Sequence, residues 1–174
     1  LSKKTLGIIG FGNVGQRLSN LVKGFDVNIL VNSKSFESRQ KDFPEIKNVS
    51  FDKLISESDI ISFHCKATPD GKPLILKDHY KKMKKNTLII NTARGNIVDE
   101  KDLNLALNDN LIAGAALDVY SNEPAKENVL FNNPKVILSP HIAASTAEAQ
   151  IVVAEMVANQ ISNFLIKKIK LNIV

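Results

Sequence analysis

Arg94, Glu123 and His141 each stand a few residues past a short apolar run. Their segments are otherwise made of small and turn-forming residues: Asn91-Thr-Ala-Arg-Gly95, Asp118-Val-Tyr-Ser-Asn-Glu-Pro124 and Ser139-Pro-His-Ile-Ala-Ala-Ser-Thr146. A histidine, with an unperturbed pKa near ~6.5, takes or gives a hydroxyl proton at neutral pH, and an adjacent carboxylate raises that pKa and fixes the tautomer. An arginine presents a planar fork that matches a carboxylate and polarises a neighbouring carbonyl. The set suits hydride transfer to or from a carbinol carbon, for which a nicotinamide supplies the hydride. Each residue alone has a plainer reading: a surface arginine before a glycine, a loop acid before a proline, a satisfied histidine in a turn.

A second stretch, Thr5-Leu-Gly-Ile-Ile-Gly-Phe-Gly-Asn-Val-Gly15, supplies what such chemistry would need nearby. The apolar run 6–9 has strand character, Gly10, Gly12 and Gly15 follow in G-x-G-x-x-G spacing, and Leu18, Leu21 and Val22 then fall at helical intervals. Gly10 permits the tight turn, Gly12 admits a diphosphate to the backbone, and Gly15 lets helix and strand approach. The helix N-terminus offers N–H groups and a positive dipole end to the anion. The expectation is a dinucleotide site; the alternative is an ordinary strand-to-helix turn.

The elements that must position these residues alternate. Strands are predicted at 27–31, 59–63, 87–90, 112–117 and 136–138, with a further apolar stretch at 49–51 leading into a short helical segment to Glu57. Helices are predicted at 78–85, from Asp99 with Leu103, Ala106 and Leu107 on one face, and at 146–166 with Ile151, Ala154, Val157, Ala158, Ile161 and Leu165 in register. Thr68-Pro-Asp-Gly71 has turn chemistry. Mostly apolar strands alternating with helices predict an α/β fold, a Rossmann-type doubly wound parallel sheet in three αβα layers. In such sheets ligands sit at the carboxyl ends of the strands, so the arginine, glutamate and histidine segments converge on one rim. The stripe on the last helix reads as core or as a subunit interface.

Composition narrows the classes. With 174 residues, 44% of them hydrophobic, one domain is expected, its core over about residues 1–150 and a terminal helix and tail over 145–174. The net charge is +5, but 18 acidic residues are interspersed among 23 basic ones and aromatics make up 6%, which argues against nucleic acid. The lysines that cluster, Lys81, Lys82, Lys84 and Lys85, read as a solvated helix end. The single Cys65 excludes an internal disulfide and suits a reducing compartment. No run approaches a bilayer span and no secretory pattern opens the chain, so a cytoplasmic protein with no membrane association is expected. Neither Cys65 nor the scattered His64 and His79 make a metal site.

Taken together, four motifs resemble the cofactor-binding domain of the D-isomer-specific 2-hydroxyacid dehydrogenases. They are Gly10-Phe-Gly-Asn-Val-Gly15, Asn91-Thr-Ala-Arg-Gly-Asn-Ile-Val-Asp-Glu100, Gly114-Ala-Ala-Leu-Asp-Val-Tyr-Ser-Asn-Glu-Pro124 and Asn133-Pro-Lys-Val-Ile-Leu-Ser-Pro-His-Ile-Ala-Ala-Ser-Thr146, in the family's order over nearly the whole chain. The resemblance implies reduction of a 2-oxo acid to the D-2-hydroxy acid. Arg94 would bind the substrate carboxylate and carbonyl, His141 would be the acid/base, and Glu123 would pair with it. It implies that Asp118 holds the nicotinamide carboxamide and that Asn13 and Val14 meet the diphosphate. It extends the cofactor contacts to Cys65, Lys66, Thr92, Ala93, Arg94, His141, Ala143 and Ala144. A homodimer through this domain is expected.

Two departures bear on the cofactor. Where NAD-using members usually carry an aspartate for the adenosine ribose, this chain has Ser33, within Asn32-Ser-Lys-Ser35. Loss of the carboxylate removes a repulsion toward a 2′-phosphate, and Lys34 with two hydroxyls suits that anion, so NADP(H) is favoured over NAD(H). Lys66 replaces a usual proline, and reads equally as solvated or as a second positive charge by the phosphate. Ser33-Lys34 also sets hydroxypyruvate or glyoxylate slightly ahead of phosphohydroxypyruvate as substrate. The family's N-terminal substrate domain is absent from this sequence, which begins at Leu1, so the chain alone is expected to bind a dinucleotide and to turn over poorly. The reading from another class is a nucleotide-dependent binding module like the C-terminal-binding co-repressors, which keep the same three residues.

Overall fold

The structure, a computed structural model, describes residues 1–170; the C-terminal stretch from Phe164, which the sequence leads one to expect frayed, falls partly on Leu171, Ile173 and Val174, outside those residues. The chain divides into two compact units, residues 1–140 and 141–174.

In the first unit seven parallel strands form one sheet: β1 (Thr5–Ile9), β2 (Asn28–Asn32), β3 (Lys47–Asn48), β4 (Ile60–Phe63), β5 (Leu88–Asn91), β6 (Gly114–Leu117) and β7 (Val136–Leu138). Their spatial order is β3-β2-β1-β4-β5-β6-β7. The sequence leaves β1 in one direction toward β2 and β3 and resumes on its other side at β4, which creates the crevice where ligands collect in doubly wound sheets. The doubly wound prediction is borne out.

Alternation along the strands splits the core in two. Ile9, Leu30, Ile61, Phe63 and Ile89 face one way and meet helices α2 (Phe51–Glu57), α3 (Lys77–Tyr80) and α4 (Glu100–Asn108) through Leu54, Ile55, Tyr80, Leu103, Ala106 and Leu107. Leu6, Ile8 and Val31 face the other way, against Val22 and Leu18 of α1 (Asn13–Val22) and against Phe36, Phe43 and Ile46. Farther along that second face, beside β4 and β5, an apolar cavity of about 300 Å³ is lined by Leu18, Val22, Ile60 and Ile90 among others. Helix starts follow local chemistry: Ser50 Oγ accepts from Lys53 N at 3.3 Å and Asp99 Oδ1 from Asp102 N at 2.9 Å.

One local prediction is corrected. The helix foreseen over 78–85 is the single turn α3, because Lys82 N and Met83 N bond carbonyls three residues back and bend the chain toward β5. The clustered lysines lie on the surface at and after the end of α3, as expected, and Lys81, Lys82 and Lys84 pair there with Asp78, Asp52 and Asp59 at 2.8, 2.8 and 3.2 Å.

The second unit holds α5 (Ala147–Lys167), capped by Thr146 Oγ1, which accepts from Ala149 N at 3.1 Å. None of its residues is buried, and Ile151, Val157, Ile161 and Leu165 are 49–62% exposed, so the core reading of this stripe does not hold. It is 21 residues long and includes a window of 18 residues with mean hydropathy 1.2, which meets the length and composition of a membrane crossing. That corrects the expectation that no run approaches one. Gln150, Glu155, Asn159 and Asn163 interrupt the helix in nearly every turn, and such groups are expensive in hydrocarbon.

Candidate cofactor site

The glycine turn is built as its spacing implies. Gly10 has φ +92°, and a Cβ there would lie 2.6 Å from the His64 carbonyl carbon, so this position takes only glycine. Gly15 is held 2.5 Å, measured from a Cβ, from the Gly10 carbonyl oxygen, which brings α1 onto the turn. Gly12 differs: a Cβ there would meet nothing, so the space above its backbone is open to a ligand. Gly12 is also the N-cap of α1, no side chain caps it, and no acidic residue stands in the first turn. The amide donors of Asn13, Val14 and Gly15 and the positive end of the helix dipole are therefore available to an anion. Between the two outer glycines, Phe11 is buried against Phe36 and Phe43, with ring centroids 5.2 and 5.0 Å away, and pins the turn to the core.

Beside the turn, a cavity of about 250 Å³ is lined by Val14, His64, Cys65, Lys66, Thr92, Ala93 and Arg94. Six of these seven were named from sequence. They come from the start of α1 and from the segments after β4 and β5, which the switch in strand order brings together. Asn91 shapes the last segment: its Nδ2 donates to Arg94 O at 2.9 Å and its Oδ1 accepts from Ala93 N at 3.1 Å. Arg94 itself is exposed and donates from Nη1 to Ala93 O at 2.6 Å.

His64 is the lining residue that sequence reading passed over as scattered. Its Nε2 lies 2.9 Å from Ser62 Oγ, and burial pushes its pKa down, which favours the neutral ring. The signal was available: it directly precedes Cys65 at the carboxyl end of β4. Burial likewise pushes the Cys65 thiol up, so the thiolate is scarce at neutral pH.

Ser33 and Lys34 stand outside this cavity, at the end of β2. The Gly10 N–H donates to Asn32 O at 2.9 Å, which ties that strand end to the glycine turn. Ser33 N donates to Asn48 Oδ1 at 3.2 Å, the Ser33 and Ser35 hydroxyls are 3.1 Å apart, and Lys34 is exposed. Asp118 follows β6, is 3% exposed and accepts from Ser139 Oγ at 2.6 Å. Glu123 is exposed, with its Oε1 accepting from Tyr120 N at 2.9 Å. Arg94, Asp118 and Glu123 thus all belong to the first unit, whereas His141, Ala143 and Ala144 belong to the second. His141 is exposed with φ +57°. Among the described residues no group of His, Cys, Asp and Glu forms a metal cluster.

Comparison with known proteins agrees with this geometry. Residues 1–143 match the family model of the D-isomer specific 2-hydroxyacid dehydrogenase, NAD binding domain. A glyoxylate reductase of Thermococcus litoralis is 40% identical over the whole chain and 53% of its own length. A D-3-phosphoglycerate dehydrogenase of Archaeoglobus fulgidus is 39% identical over 94% of the chain and 31% of its own length. Two solved structures superpose with TM-scores of 0.88. One is an NAD-dependent formate dehydrogenase of Staphylococcus aureus in complex with NAD (33% identity, 100% of this chain, 53% of that one). The other is an acyclic imino acid reductase in complex with NADPH and D-Arg (29% identity, 99% of this chain, 54% of that one). The chain spans about half the length of the curated reductase it matches throughout. It belongs to the D-isomer specific 2-hydroxyacid dehydrogenases, as their NAD-binding domain.

Proposed function

We propose that this domain serves an oxidoreductase that interconverts a small 2-oxo acid and its D-2-hydroxy acid, with NADP(H) preferred to NAD(H). The observation that carries the reading is the 250 Å³ cavity that joins Val14 on the glycine turn to Cys65, Lys66 and the Thr92-Ala93-Arg94 segment. Open space above Gly12 and an uncapped helix start fit a diphosphate.

In this reading Gly12, Asn13 and Val14 hold the diphosphate through backbone donors, and Asp118 orients the nicotinamide carboxamide. A nicotinamide held there would supply the hydride exchanged with the carbinol carbon. Arg94 binds the substrate carboxylate and polarises its carbonyl, and His141 gives or takes the hydroxyl proton. Glu123 is its carboxylate partner and fixes the ring's tautomer. Ala143 and Ala144 belong among the cofactor contacts. A substrate domain outside these residues supplies the remaining grip on the acid and excludes water. Hydroxypyruvate or glyoxylate stands ahead of phosphohydroxypyruvate, and the exposed apolar side chains of α5 suit association into a homodimer. The co-repressor-like reading has no comparable support, since the relatives named above are reductases and dehydrogenases.

The cofactor preference rests on Ser33 in place of a carboxylate and on exposed Lys34 beside it, a cation for a 2′-phosphate. Fluorescence titration with NADPH and NADH tests it. NADPH is expected to bind tighter, and Lys34→Ala to remove the difference. Equal or tighter NADH binding would overturn the preference.

A further inference from the structure

We infer that Glu100 is a positioning residue that fixes the loop bearing Glu123. The inference rests on the proposed role of Glu123. Glu100 opens α4, six residues past Arg94, and is partly buried. Its Oε1 accepts from Ser121 N at 2.8 Å and its Oε2 from Asn128 Nδ2 at 2.9 Å. One carboxylate therefore fastens both ends of the 121–128 loop to the helix that continues the Arg94 segment.

The loop needs such a fastening. Ser121, Asn122, Glu123 and Pro124 are all exposed, and buried side chains resume only at Leu130. On its inner side Tyr120 is buried, and its hydroxyl donates to Ser139 O at 2.9 Å. Tyr120 N in turn donates to Glu123 Oε1. The chain of contacts runs from Glu100 to Ser121, whose neighbour Tyr120 directs the Glu123 carboxylate. Asn128 then accepts through Oδ1 from Leu130 N at 2.9 Å, so the far end is anchored to the core as well. Glu100 does not line the cofactor cavity, so its removal disturbs the catalytic carboxylate and spares nucleotide binding.

The test is nuclear magnetic resonance of this chain as Glu100→Gln, Glu100→Ala and Glu123→Gln beside the wild type. In the wild type the Tyr120 amide signal follows the Glu123 titration, and Glu123→Gln abolishes that response. Glu100→Ala is expected to halve the response or more, to speed Ser121 amide exchange at least tenfold, and to move the His141 ring signals in the same direction as Glu123→Gln. NADPH affinity is expected to stay within twofold. Glu100→Gln keeps one acceptor oxygen and falls between, and it carries the test if the alanine variant does not fold. A Tyr120 response and Ser121 exchange unchanged in the Glu100 variants would overturn the inference. His141 ring signals unmoved by Glu123→Gln itself would instead sink the pairing of Glu123 with His141, while the Tyr120 and Ser121 signals would still decide the role of Glu100.

Discussion

Gly95 packs so closely against Tyr120 that a Cβ on it would overlap the Tyr120 carbonyl and the Ser121 nitrogen. The turn that carries Arg94 and the loop that carries Glu123 are therefore in backbone contact, and neither shifts without the other. Gly95→Ala must push two main chains apart, an overpacking cost of about 3 kcal/mol. Denaturant unfolding should show that loss. A Gly95→Ala domain of unchanged stability would mean that the two segments separate freely.

Asp59 joins three strands at their amino ends. Its Oδ2 accepts from Thr5 N at 2.9 Å, and its Oδ1 from Lys84 Nζ at 3.2 Å and Asn86 Nδ2 at 3.3 Å. The Thr5 amide first, then Lys84 and Asn86, hold its carboxyl below the usual range against the opposing effect of burial. A depressed carboxyl stabilises the fold fully above the unfolded pKa of about 3.9 and loses that contribution as pH falls through the folded value. Asp59→Asn is expected to cost about 1–3 kcal/mol at pH 7. It should also flatten the fall in stability below about pH 4, as urea unfolding at pH 7 and pH 3 would reveal. A variant as acid-sensitive as the wild type would contradict the assignment.

Cys65 reports on the cavity without any substitution. Because burial raises its pKa, alkylation by iodoacetamide at pH 7.5 (about one unit below the usual cysteine value) should run well behind that of a free thiol. Saturating NADPH should slow it further, because Cys65 lines the cavity proposed for the cofactor. Mass-spectrometric labelling follows both rates. Labelling as fast with NADPH as without it would place the nucleotide elsewhere.

The glycine turn, the helix start at Asp99 and the runs that became β1, β4 and β6 were legible because their signals are local: spacing, helical periodicity and strand composition. Six of the seven residues lining the cavity were named as well, Arg94 from its place after a strand and the others through the family resemblance. β3 was not, because Lys47 and Asn48 are exposed and polar and become a strand only by pairing with Leu30 and Val31. Nor was the hold of Glu100 on Ser121 and Asn128, which spans 21 and 28 residues of sequence. α5 misled in the opposite sense: its apolar register is that of a packed helix, yet no residue on it is buried.

The central claim is that a dinucleotide sits over the glycine turn, and Gly12 tests it because a side chain there disturbs nothing else. Its backbone, φ −76° and ψ −161°, is open to alanine, and a Cβ meets no atom of the protein. The measurement is a fluorescence titration of the wild-type domain and Gly12→Ala with NADPH, alongside their thermal melts. The account predicts saturable binding to the wild type, an affinity reduced at least tenfold in the variant (a loss of ~1.4 kcal/mol), and stabilities within about 1 kcal/mol of each other. Equal affinity in the two proteins, or no binding to the wild type, would contradict it.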